Sequence, residues 1–322
     1  MIASEDWRWL EAADAIAERA RPLSSPNPPV GAIIVKDGIV VGRGWTQPGG
    51  RPHAEAVALA QAGEAARGAT LYVTLEPCAH TSERGRACTD LVIEAGIARV
   101  VPILPDPDPR TFFVGLKRMM AAGIEIADVP SPGAANLVGW GLAKVTGYPE
   151  VTLKLAVTAD GFIARPDGTS KWITGEPARA HAHRQRARSD AILVGGGTLR
   201  ADEPKLDVRL PGLESRSPQR AVLTRGEAPE GWIAVKEPRG IKGRGWQHLL
   251  VEGGADVAEA FLAERLVHRL LLYRSPTEFG EGIPAFRNPG PNGVPGGWTL
   301  SDRRQLGNDF LEVYDPDESE GA

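Results

Sequence analysis

Pro52-His53-Ala54-Glu55, Thr74-Leu75-Glu76-Pro77-Cys78-Ala79-His80 and Gly85-Arg86-Ala87-Cys88 form the stretch around which the first half of this chain is organised. Both cysteines of the 322 residues fall inside it. Two thiolates and one imidazole are a donor set for Zn²⁺ with an open fourth position. Water in that position has its pKa lowered to about 7. A carboxylate beside the metal that is not a ligand can then carry the proton. On this reading His53, Cys78 and Cys88 are the ligands and Glu55 is the proton shuttle.

The local pattern suits that arrangement. A helix starting near Pro52 carries His53 and Glu55 in its first turn, and residues two apart do not share a helix face. One can point at the metal while the other approaches the water from the side. Cys78 follows 71–75, a short apolar run of strand type. It sits after Pro77, where a helix can start, and a helix N-terminus favours thiolate. Plainer readings of two cysteines are buried thiols or a disulfide. An H-x-E upstream of a P-C and a second Cys is instead the signature of zinc deaminases acting on an amino group of a base. One departure stands out: the second cysteine follows as Cys-x₉-Cys rather than C-x-x-C.

The totals bound the rest. The length allows two domains, and 42% hydrophobic with 24% charged residues is ordinary for a globular chain. A net charge of −4 argues against a broad nucleic-acid footprint. The N-terminal residues lack a basic and an apolar region, so no signal peptide is expected. No apolar stretch is long enough to span a bilayer. Two cysteines assigned to a metal fit a reducing compartment, and the cytoplasm is the expected location.

Within the first half, 6–20 predicts a helix, broken at Pro26-Asn27-Pro28-Pro29-Val30-Gly31. Asn27, stiffened between prolines, offers a donor and an acceptor to a base edge; a plain turn residue is the alternative. The runs 30–35 and 39–44 flank Lys36-Asp37-Gly38 as a hairpin. Helix is expected over 89–95, stopped by Gly96, and strand over 99–104. The loop Pro105-Asp106-Pro107-Asp108-Pro109-Arg110 leads to a helix over 112–122 and a last strand at 124–126. Alternating strands and helices predict an α/β sandwich.

These blocks together resemble a known family. Ser25-Pro26-Asn27-Pro28-Pro29-Val30-Gly31, Gly50-Arg51-Pro52-His53-Ala54-Glu55, Leu75-Glu76-Pro77-Cys78-Ala79-His80 and Asp106-Pro107-Asp108-Pro109 are similar to the bacterial bifunctional riboflavin-biosynthesis deaminase–reductases. The likeness continues through Lys154, Asp160-Gly161, Ser170-Lys171-Trp172-Ile173-Thr174, Asp190-Ala191-Ile192-Leu193-Val194-Gly195 and Val251-Glu252-Gly253-Gly254. It implies a cytidine-deaminase-like α/β/α sandwich (1–146), then a dihydrofolate-reductase-like α/β domain (147–315); the acidic composition of the tail (316–322) predicts disorder. It implies deamination of diaminohydroxyphosphoribosylaminopyrimidine, then reduction of the ribosyl group to ribityl with NADPH. The resemblance gives Asn27, His80 and Asp106 to the deaminase substrate. It gives Lys154, Ser170, Arg186, Leu206, Arg209 and Glu252 to the reductase substrate, and Ala156, Trp172, Thr198, Asp202 and Gly254 to NADPH. The partner expected is thus a small phosphorylated pyrimidine, with neither nucleic acid nor membrane, and the chain is expected to be a homo-oligomer. The approach to the second cysteine, Thr81-Ser82-Glu83-Arg84-Gly85-Arg86-Ala87, is longer than the family's and lacks its prolines, so the basic substrate contact is either Arg84 or Arg86. Thr46 stands where the family tends to have His.

In the second half a linker covers 128–147, with a helix over 134–144. The run 151–157 reads as a buried strand holding one Lys, either snorkelling or facing a polar pocket. A basic helix is expected over 176–188. His181 and His183 on it are two apart, unsuited to a shared metal, and read as solvated. The strand 190–194 enters Gly195-Gly196-Gly197-Thr198, a glycine turn that is weak evidence alone but lets a phosphate or ribose approach bare backbone. Val251-Glu252-Gly253-Gly254 repeats the device. The segment 224–248 is short against the family and borders the cofactor side; 280–297 is a Gly/Pro-rich loop. Lys154, Asp202 and Glu252 are candidate proton donors. Trp246 and Trp298 read as core or interface residues. Rival readings keep the zinc chemistry but act on tRNA, make the second domain a non-catalytic binding module, or treat the whole chain as a zinc-stabilised non-enzyme.

Overall fold

The computed structural model describes residues 3–129, 133–170 and 173–317. Part of the predicted linker (130–132), Trp172 and the last five tail residues lie outside these. The chain divides into two compact units, Met1–Gly141 and Leu142–Ala322.

The first unit contains α1 (Ser4–Ala17), β1 (Gly31–Lys36), β2 (Ile39–Trp45), α2 (Ala54–Ala62), β3 (Thr70–Leu75), α3 (Cys88–Glu94), β4 (Arg99–Leu104), α4 (Val114–Ala121) and β5 (Glu125–Ile126). The sheet order is β2-β1-β3-β4-β5. β1 runs antiparallel to both neighbours, while β3, β4 and β5 are parallel. The hairpin turns at Asp37 and Gly38, both at positive φ (51° and 74°), as a two-residue turn matched to strand twist requires. Helix α1 covers one face over β1 and β3, and α2 covers the other over β1 and β2. The predicted sandwich is therefore present.

Two boundaries differ from the sequence reading in ways that matter. Cys78 does not begin a helix: β3 ends at Leu75 and 76–80 is irregular. The helix begins at Cys88, whose N–H reaches back to Cys78 Sγ at 3.3 Å. The Cys78 thiol thus meets a helix N-terminus after all, that of the helix its partner starts. Likewise α4 begins at Val114, not 112, because Phe113 precedes it in the left-handed region (φ 56°).

The second unit continues with α5 (Val138–Thr146, which straddles the division), β6 (Glu150–Val157), β7 (Phe162–Ala164), α6 (Glu176–Arg186), β8 (Ala191–Gly195), α7 (Gly196–Asp202), β9 (Gln219–Leu223), β10 (Ile233–Val235), β11 (His248–Val251), α8 (Ala255–Ala263), β12 (Arg269–Arg274), β13 (Ile283–Pro284), β14 (Trp298–Leu306) and β15 (Asp309–Pro316). The large sheet runs β10-β9-β8-β11-β6-β12-β15-β14. The six strands from β10 to β12 are parallel, and the β14–β15 hairpin closes the edge antiparallel.

Strand β6 alternates strictly: Val151, Leu153, Leu155 and Val157 are buried, while Lys154 and Ala156 share the opposite face. That resolves the lysine inside an apolar run, since a strand shows its residues to two faces in turn. Gly196-Gly197 is not a turn but the first turn of α7, entered directly from β8. Gly195 and Gly253 have one reason in common: a Cβ on either would lie 2.6 or 2.5 Å from Val257 side-chain carbon of α8. The short segment 224–248 keeps an edge strand (β10) followed by a 3-10 turn, Pro238–Ile241. Ile241 is fully buried, and so is Trp246, whose Nε1–H donates to Gln219 at 2.9 Å. Trp246 is thus a core residue. The tail begins later than expected: Asp315 and Pro316 belong to β15, and Asp315 pairs with Arg269.

Candidate active sites

His53 is the residue that precedes α2, with extended backbone, and Glu55 is buried in the first turn of that helix. Cys78 comes from the irregular segment after β3 and Cys88 from the start of α3. His53 Nδ1 lies 3.6 Å from Cys78 Sγ and 3.4 Å from Cys88 Sγ. Two ligands of a tetrahedral zinc, at about 2.3 Å for sulfur and about 2.0–2.1 Å for nitrogen, stand about 3.6 Å apart. The three donor atoms all fall within 4.8 Å of one another. Donor type and spacing both fit the metal.

The electrostatics fit as well. Cys78 is drawn down to about 4, first by a hydrogen bond from Cys88 and then by His53. The same bond and its burial push the Cys88 thiol up. Glu55 is buried, and desolvation pushes its carboxyl up to about 7.

The other predicted residues of this unit gather near the cluster. Asn27 donates to the Gly50 carbonyl at 3.3 Å, in the same segment that delivers His53. Thr46, in place of the family's histidine, accepts from Val30 N–H (3.0 Å) and donates to Pro28 O (2.9 Å), pinning the proline loop. His80 is half-buried, with Nδ1 3.3 Å from Thr111 Oγ1. Asp106 is buried. Arg86 turns outward to Glu94, whereas Arg84 donates to the Gly49 carbonyl beside the Asn27 loop.

In the second unit a cavity of about 600 Å³ opens over β6, β8 and β11. Lys154, Ala156, Ser170, Arg186, Thr198, Asp202, Arg209, Glu252 and Gly254 all line it. Leu206 does not: its side chain is buried with Ile192, Val194 and Leu250. Trp172 lies outside the described residues. Glu252 is held bidentately by Arg186 (2.7 and 2.9 Å), with Lys154 Nζ at 3.6 Å. Against the pull of burial, those two cations bring its carboxyl to about 2.

His181 and His183 are not solvated, contrary to the sequence reading. His181 Nδ1 is 2.7 Å from Tyr273 Oη, and burial with nearby arginines lowers it to about 4. His183 lines the cavity, with Nδ1 3.1 Å from the Asp207 carbonyl. The missed signal was helical spacing: Arg179, His183 and Arg186 follow at i, i+4 and i+7, one stripe of α6 that faces the cavity.

Comparison with known proteins bears on both units. Residues 3–104 match the cytidine and deoxycytidylate deaminase zinc-binding region, and 149–232 with 234–311 match the RibD C-terminal domain. The riboflavin biosynthesis protein RibD of Corynebacterium ammoniagenes is 40% identical over 92% of this chain and 94% of its own. The chain belongs to the RibD family. Among solved structures, RibD of Acinetobacter baumannii aligns with a TM-score of 0.84 and 34% identity, covering 98% of this chain and 99% of that one. A Thermotoga maritima diaminohydroxyphosphoribosylaminopyrimidine deaminase/5-amino-6-(5-phosphoribosylamino)uracil reductase also aligns at 0.84, with 30% identity over 97% and 98% of the two chains. RibD is a bifunctional enzyme of riboflavin biosynthesis, a deaminase joined to a reductase, and its cofactors are zinc and NADPH. Among the described residues, no helix is long and apolar enough to cross a membrane.

Proposed function

We propose that residues 1–146 hydrolyse the amino group of diaminohydroxyphosphoribosylaminopyrimidine and that residues 147–315 reduce the ribosyl group of the product to ribityl. The observation that carries the first step is the His53–Cys78–Cys88 cluster with Glu55 buried against it. Zinc held there supplies a Lewis acid that makes water acidic near neutral pH. Glu55, with a pKa near the working pH, would take that proton and pass it to the ring nitrogen, then take the second proton from the hydroxyl added to carbon and pass it to the amino group, which leaves as ammonia. Asn27 orients the pyrimidine edge, and His80 and Asp106 hold the rest of the substrate. Arg84, rather than Arg86, is the basic contact, because Arg86 is turned away to Glu94.

For the second step NADPH supplies the hydride, and the protein supplies orientation. Thr198, Asp202, Gly254 and Ala156 form the cofactor side, with Trp172 assigned by resemblance alone. Lys154, Ser170, Arg209 and Glu252 form the substrate side. Arg186 is committed to Glu252 and Arg179 donates to the Thr174 carbonyl, so Arg209, only loosely paired with Asp207 at 3.4 Å on the surface, is the cavity arginine assigned to the phosphate. Any Leu206 contribution comes through its main chain. Glu252 stays ionised, which removes it from the candidate proton donors and leaves Lys154 and Asp202. The need for two thiolates supports a reducing compartment, the cytoplasm. Exposed Phe112, Phe113, Val114 and Met120 support self-association, which sedimentation tests.

The deciding experiment supplies the phosphoribosylaminopyrimidine with and without NADPH and follows ammonia and NADPH separately. Both should appear, with NADPH loss dependent on prior ammonia release. Ammonia without NADPH loss would leave the second unit a binding module.

A further inference from the structure

Glu76 has no part in the reaction steps above, yet it is 2% exposed and fully engaged. Its carboxylate accepts three main-chain N–H bonds, all from one stretch. Asp106 (3.3 Å) and Phe113 (3.0 Å) donate to Oε2, and Leu116 (3.3 Å) donates to Oε1. These donors bracket the Asp106 loop and the first turn of α4. A buried carboxylate without partners is costly, and amides at a loop and a helix start otherwise lack acceptors. Each side satisfies the other.

A second tie runs in the opposite direction. Thr111, fully buried within the Asp106 loop, accepts from Ala79 N–H at 3.4 Å and sits 3.3 Å from His80 Nδ1. Around the two ties the backbones meet closely. A Cβ on Gly115 would stand 2.7 Å from the Pro77 carbonyl oxygen, and Arg118 Nη1 donates to Ala79 O at 2.9 Å. The segment that presents Cys78 and His80 is thereby bolted to the segment that presents Asp106.

We infer that Glu76 and Thr111 are positioning residues of the deaminase, paired ties that hold the Asp106 loop in fixed register with Cys78 and His80. The inference rests on the functional reading above. Neither residue touches the reacting atoms. They act on geometry, and a binding group held out of register weakens capture of the substrate, which raises KM. Glu76→Gln keeps one acceptor oxygen but turns an NH₂ toward amide donors. Thr111→Val keeps the shape and removes the hydroxyl, and Thr111→Ser restores it.

The test uses the full zinc-loaded chain with E76Q, T111V and T111S. It measures zinc per chain, the kinetics of ammonia release, and amide hydrogen exchange over 106–116 and over α3. E76Q and T111V should keep the wild-type zinc content and the α3 exchange. Exchange over 106–116 should quicken about tenfold, and KM for the pyrimidine should rise about tenfold with kcat changed less than about threefold. T111S should behave as wild type. Activity lost only in proportion to zinc, or an unchanged KM, overturns the inference. Should E76Q fail to fold, T111V against T111S carries the same comparison. If the wild type releases no ammonia the functional reading fails, and unchanged exchange over 106–116 then separately overturns the ties.

Discussion

The two sites are built on opposite plans. In the first unit a few side chains of fixed type converge on one point: one imidazole, two sulfurs and one carboxylate within a few ångströms. In the second unit the cavity is shaped by the ends of β6, β8 and β11, with backbone and glycines doing much of the lining. Its charged residues are held by one another, as Arg186 and Lys154 hold Glu252. A metal constrains residue identity, because few side chains can ligate it. A dinucleotide and a sugar phosphate constrain shape, which many sequences can supply. The first plan should therefore fail sharply at single positions and the second more gradually.

The sharpest test is Glu55→Gln. The amide cannot carry the proton, so kcat for ammonia release should fall by about 10²–10⁴-fold. Zinc content and NADPH-dependent reduction of independently supplied deaminated substrate should persist. Equal loss of both activities would mean that the two plans are not separable. Stripping zinc with a chelator should give the same split, and adding zinc should reverse it.

Next in size is Glu252→Gln in the second unit. It leaves two buried cations without their counter-charge, and breaking such a pair costs about 3–5 kcal/mol. The melting transition of the second unit should drop and the reductase should fail, with ammonia release at 25 °C intact. A variant that keeps its melting temperature would show that Glu252 is not what holds Arg186. Arg209→Ala is milder. Arg209 lies at the rim, so stability should hold, while KM for the phosphorylated reductase substrate rises about tenfold, as expected for one charge-assisted contact.

The same contrast explains what the sequence made legible. The ligands and Glu55 could be read because their types and order state the chemistry, even though the helix start belonged to Cys88 and not Cys78. Strand β6 looked like a uniform buried run, and only its alternation in space separates Lys154 and Ala156 from the core. His183 was misread because the two histidines were compared with each other; the relevant stripe joined it to Arg179 and Arg186. Leu206 and Arg186 came by resemblance, which carries position but not orientation. One side chain proved buried elsewhere and the other was already bonded. The short segment 224–248 sends two side chains, Ile241 and Trp246, into the core, a burial that no local pattern announces.

The smallest expected effect on activity comes from comparing the two buried carboxylates held at about 2, Glu252 at the cavity and Asp6 far from chemistry. Asp6 accepts from Arg99 (2.7 and 3.0 Å), Tyr72 Oη (2.8 Å) and Ala3 N–H (2.8 Å). The hydrogen bond from Arg99 is the chief cause of its depressed pKa, whose ordinary value is 3.8. A depressed carboxylate contributes stability that is fully present above its unfolded pKa and lost as pH falls through its folded one. The first unit should therefore hold its melting temperature down to about pH 4 and lose stability between about pH 4 and 2. Asp6→Asn should cost about 1–3 kcal/mol at pH 7, the range for a hydrogen bond to a charged group, with both activities intact at 25 °C. Its difference from wild type should shrink as pH falls from 4 toward 2, because protonation removes the same charge. A gap that stays constant across that range would assign the stabilisation to packing of α1 on β3 and not to the Asp6–Arg99 pair.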